Sequence, residues 1–427
     1  MINNPLPIRQ KVAVVGGGVA GIVAAYLLQE RHDVTMFEQN DYLGGHTHTI
    51  EITEGPDTGI AVDTGFIVLN DSTYPLLHKF LDRLEVGIRV SEMSFSMHNH
   101  ENGLVYAGTG LNGLFAQRTN LVRPAFYAFL LEIGRFCRQA RTDLVAGQVP
   151  PITLGEYLEN GGFSAFMRDN YLLPMAAEIW STAPRRVAAF PVEPFLRFLF
   201  NHGLLTFRNR PNWHTVAGGS FAYVKAFERT FRGAVFLNAG VSAVERHNAG
   251  VRLKFRDGVE QNFDGAVIAT HADQALQLLA DADDEERRLL GPWHYLENRT
   301  VLHCDTSVLP RQRRAWASWN AVRRSTRDDA CPVYVTYYMN RLQGLSAQRD
   351  YCVTLNRPEP FPESSVIAEM VYHHPFYSHE SMATQAELPG LNGRRRTWFC
   401  GSYFGYGFHE DAVRSGAAVG EAFGTPL

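Results

Sequence analysis

Lys11-Val-Ala-Val-Val15, followed without a break by Gly16-Gly-Gly-Val-Ala-Gly21, then the small and apolar run Ile22 to Gln29 and Asp33-Val-Thr-Met-Phe-Glu38, decides the fold of this chain. An apolar strand, a glycine turn, a helix, a second strand and an acid stand in register. Gly16, Gly18 and Gly21 have the G-x-G-x-x-G spacing: the first permits a tight turn, the second lets a pyrophosphate approach the backbone, and the third lets helix and sheet pack closely. The phosphates of a dinucleotide would lie on the positive end of the following helix, and Glu38 stands where a carboxylate takes ribose hydroxyls. Glycine-rich turns alone are common; the ordered set of five features is specific.

Shortly after Glu38 comes Leu43-Gly44-Gly45-His46-Thr47, a glycine-rich extension beyond the basic βαβ unit. Here the chain resembles the FAD-binding superfamily that contains flavin amine oxidases, phytoene desaturases, protoporphyrinogen oxidase and UDP-galactopyranose mutase. That superfamily usually has arginine after the Gly-Gly turn. His46 would instead bring a titratable charge near the diphosphate or the flavin, with a hydrogen-bonding role or covalent attachment of the flavin both open to it.

A second resemblance to that superfamily lies at the other end. Thr397-Trp-Phe-Cys400 reads as a short strand, Gly401 and Ser402 follow, and Glu410-Asp-Ala-Val-Arg-Ser-Gly416 opens a small-residue helix. The resemblance implies that the strand end meets the diphosphate and ribityl chain, and that the helix N-terminus faces the flavin; many relatives have Asp where Ser402 stands. Between the ends, Ala234–Asn238, Val241–Arg246, Gly250–Gly258 and Phe263–Ala269 read as successive strands after the turn Val216-Ala-Gly-Gly-Ser220. The fold expected is therefore α/β: a discontinuous Rossmann-like FAD-binding domain of residues 1–70, 210–275 and 392–427, beside a substrate domain of antiparallel sheet and helices. That second domain would comprise 71–209, mostly helical and aromatic, and 276–391, rich in strands such as Val333–Tyr338 and Tyr351–Leu355.

The resemblance also implies the FAD contacts. They are Gly16, Gly18, Val19, Ala20, Gly21, Glu38, Gln39, Gly44, Gly45, His46 and Thr47 at the two glycine turns, with Asp63, Thr64, Gly65 and Phe66 crossing beside the flavin ring. Val241 would meet the adenine, and Gly401, Ser402, Phe408, His409, Glu410 and Ala412 would close the site.

Composition agrees with a large globular enzyme. The chain has 427 residues, 45% of them hydrophobic, enough for two domains with cores of their own. A net charge of −4 argues against a nucleic-acid partner held by bulk electrostatics. The five cysteines, Cys137, Cys304, Cys331, Cys352 and Cys400, are scattered and free of C-x-x-C pairs, so neither a disulfide framework nor a zinc site is expected. No membrane-spanning run and no leader pattern are read, which places the chain in the cytoplasm, with peripheral contact at the inner face of the membrane open.

Candidates for chemistry are fewer. Glu178 is the one acid in Met175-Ala-Ala-Glu-Ile-Trp180 and reads either as a buried base or as a core residue. Among 16 histidines, His46-Thr-His48 and His373-His-Pro-Phe-Tyr-Ser-His379 form clusters, but their partners do not suit a metal, and none is expected. His374 or His379 reads as a wall of the cleft, and His409 as a hydrogen-bonding group near the flavin. Trp180-Ser-Thr-Ala-Pro184 and Asn201-His-Gly-Leu-Leu205 end apolar stretches that would suit a long hydrocarbon. Around Leu121–Leu131, Arg118, Arg123, Arg135 and Arg138 fit an interfacial helix or an ordinary amphipathic core helix.

Asp63-Thr-Gly-Phe-Ile-Val68, Ile179-Trp-Ser181, Asn201-His-Gly203, Trp213-His-Thr-Val-Ala-Gly-Gly219, Tyr372-His-His-Pro375 and Gly405-Tyr-Gly-Phe-His-Glu-Asp411 resemble one branch of the superfamily. Its members are bacterial FAD-dependent proteins associated with cyclopropane-fatty-acid-synthase-type methyltransferases. This implies a desaturase acting on methyl-branched or unsaturated acyl chains of phospholipids, re-oxidised by oxygen or quinone. A flavin amine oxidase and a non-redox flavoenzyme similar to UDP-galactopyranose mutase are the competing expectations.

Overall fold

The structure, a computed structural model, describes residues 9–180, 184–208, 210–324 and 333–427. Ser181, Thr182, Ala183 and Cys331, singled out above, lie outside the described residues.

The opening motif forms as expected: strand Lys11–Val15, helix Val19–Leu28 and strand Asp33–Phe37. The strand becomes the centre of a five-stranded parallel sheet ordered 234–236, 33–37, 11–15, 265–268, 397–399. In register, Val14 pairs with Met36 on one side and Val267 on the other. Because successive strand residues point to opposite faces, Val12 and Val14 bury against one layer and Ala13 and Val15 against the other. The first layer holds the helices Val19–Leu28 and His409–Ala422, through Ile22, Val23, Leu27 and Val413. The second is an antiparallel sheet of Val241–His247, Gly250–Phe255 and Glu260–Phe263, whose Val244, Leu253 and Phe255 pack beneath Phe37. Covering both faces explains why the central strand is apolar throughout, as buried parallel strands are. Strand 397–399, more than a hundred residues beyond its partner 265–268 in the chain, closes one edge of this sheet.

The second unit is a seven-stranded sheet in the order 366–376, 294–303, 352–355, 333–338, 319–323, 95–99, 104–107. All its pairings are antiparallel except 319–323 with 95–99. Helices Pro124–Ala146, Leu154–Asn160, Leu173–Trp180 and Val192–Asn201 pack beside it through Phe126, Phe129, Ile133, Phe136, Leu158 and Phe195.

Residues 71–209 are mostly helical, as expected, but 88–90, 95–99 and 104–107 are strands, and the last two form a hairpin of the large sheet around Asn102-Gly103, where Gly103 has φ +68°. One boundary of the sequence reading is corrected. The helix Pro75–Arg83 packs with the nucleotide-binding unit rather than with the second one, since Leu77, Phe80 and Leu81 share an apolar core with Val12 and Leu27.

The first and last helices meet through glycine. A Cβ on Gly416 would lie 2.4 Å from the Ala20 carbonyl oxygen, and one on Gly420 would lie 2.6 Å from the Leu27 side chain. Gly416→Ala is expected to destabilise the fold by about 1–3 kcal/mol through overpacking, although alanine is the better helix former by about 1 kcal/mol. Thermal unfolding checks this; an unchanged or raised Tm would mean that the helices separate at no cost.

Candidate cofactor and active site

At the glycine turn, the backbone leaves almost no room for side chains. Gly16 has φ +105°, and a Cβ there would lie 2.7 Å from the Ala269 carbonyl; one on Gly21 would lie 2.1 Å from the Gly16 carbonyl. Gly18 differs, since nothing lies within 4 Å of where its Cβ would stand. It caps the helix Val19–Leu28 with no side-chain hydrogen bond, so the first helical amides are left open. The Gly17 amide donates to Glu38 Oε2 at 2.7 Å and the Asn40 amide to Oε1 at 2.9 Å, which fixes the buried carboxylate beside the turn. The Gly44 amide donates to the Gly17 carbonyl at 2.8 Å, bringing the second glycine turn onto the first. The Ala239 amide donates to the Glu38 carbonyl at 2.8 Å, so Val241 starts its strand close by. Gln39 instead receives Arg256 at the surface.

Behind Gly45 lies a second cluster. The Phe66 amide donates to the His46 carbonyl at 2.7 Å, and a Cβ on Gly65 would stand 2.1 Å from that same oxygen, so only glycine lets the segments meet. Phe66 stacks on His409 with centroids 3.6 Å apart and planes at 9°. His409 Nε2 lies 2.9 Å from Thr47 Oγ1 and 3.3 Å from the Tyr223 hydroxyl, which is itself hydrogen-bonded to Thr47. The His46 ring lies 5.2 Å from Tyr372, 5.2 Å from His374 and 6.1 Å from His271, which stacks on Tyr295 at 4.1 Å. Asn298 is oriented by donating to the Leu296 carbonyl and accepting from Asn356, so its amide donates to His374 Nδ1 and leaves the proton of that ring on Nε2.

Burial makes this cluster neutral. It lowers His46 to about 4, helped by the neighbouring charge of His373, and lowers His271 and His409 to about 3. His374 falls well below its ordinary value for the same reason. The titratable charge expected at His46 is therefore corrected: at neutral pH the ring is an uncharged imidazole. The His373 backbone interacts with it, and its Nε2 is buried with no partner among the described residues.

Other expected residues do different work. Asp63 is fully buried, but its carboxylate accepts from Thr49 at 2.5 Å, from the Ser220 amide and hydroxyl at 2.8 and 2.9 Å, and from Gln343 Nε2 at 2.8 Å. It ties the 218–220 turn to the second unit instead of presenting an oxygen to a ligand. Glu410 caps the helix Pro75–Arg83, accepting the Leu76 and Leu77 amides at 3.1 and 2.9 Å. Gly401 donates its amide to Ser415 Oγ at 2.9 Å beneath the last helix. Ser402 is half-buried in the turn that follows, and Ala412 is buried in the first turn of that helix. His379 is exposed at the start of the helix His379–Gln385 and forms no wall.

Phe408, at the N-terminus of the last helix, stacks on Phe198 at 4.7 Å, and Trp180 lies 4.7 Å from Phe198 and 5.4 Å from Phe195. This aromatic wall therefore reaches the Thr47–His409 cluster through consecutive residues. Glu178 lies two residues before Trp180, with both carboxyl oxygens buried and unpartnered among the described residues; burial pushes it well above the carboxylate range. It makes no hydrogen bond to His374 or His409, so the three expected catalytic residues do not form one hydrogen-bonded unit. Tyr223, His271, Tyr295 and Asn298 complete the site with Tyr372 and were not singled out from sequence; only the phrase Tyr372-His-His-Pro375 gave a signal.

The chemistry of these groups fits FAD. The cradle has an open position at Gly18, uncapped amides and a carboxylate fixed beside the turn. His46, His271, Tyr295, His374 and His409 lie deep in the molecule yet retain partly accessible surface, as the walls of an internal hollow do. Two open clefts, of about 320 Å³ beside Arg9 and Arg232 and about 260 Å³ beside His98 and Arg311, lie away from these groups.

Comparison with known proteins gives the same cofactor. The family model for flavin containing amine oxidoreductases matches residues 19–312. A Mycobacterium tuberculosis protein named as a flavin-containing monoamine oxidase, AofH, is 26% identical over 351 residues, covering 79% of this chain and 72% of its own length. Among solved structures, putrescine oxidase bound to putrescine superposes with a TM-score of 0.73 at 15% identity, covering 97% of this chain and 99% of that one. A conjugated-linoleic-acid-producing fatty acid isomerase from P. acnes superposes with a TM-score of 0.66 at 18% identity, covering 97% and 98%.

Because Gly18 has ordinary φ and open space around it, Gly18→Val should leave the fold intact while filling the place a pyrophosphate needs. The expected result is loss of bound flavin absorbance with unchanged circular dichroism; retention of full flavin would show that the space is not used. The neutral histidines have folded-state pKa values below the unfolded 6.5, so the unfolded chain binds more protons between 6.5 and the folded values. Their contribution to stability is complete above pH 6.5 and is lost as pH falls toward 4, at about 1.4 kcal/mol per pH unit for each histidine. Denaturant unfolding between pH 7 and 5 should show this slope, and His46→Asn should reduce it by about one histidine's share.

Proposed function

The chain belongs to the family of flavin-containing amine oxidoreductases, and from that premise we propose that this FAD-dependent oxidoreductase is an acyl-chain desaturase. Its substrate is a methyl-branched or unsaturated fatty acyl chain of a phospholipid. The observation that carries this reading is the uncharged, aromatic character of the wall beside the cofactor cradle: Phe198, Trp180 and Phe408 continue into neutral His409 and Phe66. A protonated amine would require an ionised acid or an open aromatic cage, whereas burial pushes Glu178, the acid beside Trp180, well above the carboxylate range. The fatty acid isomerase among the similar folds supports an acyl chain as a substrate this architecture can accept.

Bound in the cradle, FAD supplies the acceptor for a hydride leaving the substrate. The protein's own work is to hold the chain, exclude water and receive the accompanying proton. His374, whose proton sits on Nε2, is a donor toward the hollow rather than a base. His409 Nε2 is engaged with Thr47 and Tyr223. His46 Nε2 is the imidazole nitrogen without a partner, and we assign it as the proton acceptor. The aromatic wall keeps the reacting carbons dry, so that nothing competes with the imidazole for the proton.

A second reading, oxidation of a small amine, is favoured by the names of the Mycobacterium tuberculosis relative and of putrescine oxidase. Anaerobic mixing separates the two: the flavin absorbance should bleach with methyl-branched unsaturated phospholipid and not with putrescine or other amines, and bleaching by amines alone overturns the desaturase. His46→Asn should retain FAD but slow bleaching by lipid by roughly 10²- to 10⁴-fold, the usual worth of a positioned base. An unchanged rate would remove His46 from the reaction.

A further inference from the structure

The helix Pro124–Ala146 is amphipathic in an unusual sense. One face buries Phe126, Phe129, Ile133, Phe136, Cys137 and Ala140 in the second unit. The opposite stripe, spaced three and four residues apart, runs Pro124, Tyr127, Leu131, Arg135, Arg138, Thr142 and Val145, and all of it is exposed. Leu131 is 76% exposed; in the turn before the helix, Leu121 is 48% and Val122 82% exposed. Single exposed apolar side chains are ordinary, but a group contributed by a turn and a long helix calls for a partner.

Charge identifies the partner. From residue 102 to residue 142 the chain has five arginines, Arg118, Arg123, Arg135, Arg138 and Arg141, no lysine and a single acid, in a chain whose overall charge is −4. That acid, Glu132, is turned to the Ser164 amide and hydroxyl. All five arginines are exposed. Apolar tips at one end of a stripe and cations along the rest of it suit an interface where hydrocarbon and anionic headgroups lie a few ångströms apart, with arginine stems lying on the apolar surface and their heads in water. A protein partner would be expected to meet polar side chains and acids as well, and this surface offers neither at its centre.

We infer that the Leu121–Leu131 surface docks on an anionic phospholipid bilayer, with Leu121, Val122, Tyr127 and Leu131 entering the headgroup boundary and Arg118, Arg123 and Arg138 holding phosphates. Its purpose, delivery of an acyl chain, rests on the reading of the site above; the docking itself does not. No described helix is long and apolar enough to cross a membrane, so the contact is at the surface.

The test uses the FAD-loaded full chain sedimented with vesicles of phosphatidylcholine alone or with about one-third phosphatidylglycerol. Binding should be roughly tenfold stronger to the anionic vesicles and should weaken at high salt, where charges are screened. The exposed pair Leu121→Asp and Val122→Asp should reduce binding at least tenfold while leaving Tm and flavin reduction by detergent-dispersed lipid unchanged. Arg123→Glu with Arg138→Glu should abolish the preference for anionic vesicles. Equal binding of the variants, absence of binding, or a concentration-dependent dimer dissolved by the same substitutions would each overturn the proposal, the last by assigning the surface to a second copy of the chain. Binding without turnover of lipid would leave this surface standing and remove the acyl reading of the site; turnover of dispersed lipid without binding would do the reverse.

Discussion

The close approach of the Gly21 backbone to the Gly16 carbonyl, where a Cβ would stand only 2.1 Å from oxygen, is the constraint from which the site is built. It sets the angle between the central strand and its helix, and that angle places the Gly17 amide on Glu38 and the Gly17 carbonyl under Gly44. From Gly44 the path passes through His46 to Gly65, again at a distance that only glycine tolerates, and through Thr47 to His409 on the last helix. Gly416 then returns that helix to Ala20, one residue from Gly21. The cradle is thus a closed circuit of backbone approaches among segments far apart in sequence. A displacement at one of them moves the others, because backbone atoms, unlike side-chain tips, have no rotamers through which to give way.

This circuit also explains what could be read from sequence. Gly16, Gly18, Gly21, Gly44, Gly45 and Gly65 are legible because the geometry demands one residue type at fixed spacing, and Glu38 because it ends a strand whose start is fixed. The carboxylates were harder. Asp63 and Glu410 stand beside legible motifs, yet the first is consumed by Ser220, Thr49 and Gln343 and the second by the amides of a helix more than three hundred residues earlier. A motif locates the backbone; which way an acid turns is set by donors that sequence distance hides. Tyr223, Tyr295 and Asn298 were invisible for the same reason, being ordinary aromatic and polar residues until the fold brings them to Thr47 and to the histidines around His46. The hairpin at Asn102-Gly103 was legible and went unread; its positive-φ glycine is the signal.

The electrostatic character of the site follows from depth. Four imidazoles and a carboxyl, groups that would give a surface cleft a strong field, are all shifted by burial in the direction of their neutral forms. An aqueous cation entering such a wall would lose its hydration with no fixed charge to replace it, whereas a hydrocarbon would lose nothing. On the proposed reading, hydride removal from carbon would develop positive charge against uncharged dipoles, and the uncharged imidazole of His46 would take the proton without first having to give up a charge of its own.

The same argument extends to the surface. A chain that holds a dry, uncharged interior must obtain its substrate from a phase in which that substrate is at home, because an acyl phospholipid has no appreciable concentration as a free monomer in water. The arginine-flanked stripe of the helix Pro124–Ala146 belongs to the same element whose other face, through Phe126, Phe129 and Phe136, builds the apolar core of the second unit. On the proposed reading one amphipathic helix does both jobs: its inner face builds the core of the second unit, and its outer face would meet the phase that holds the lipid.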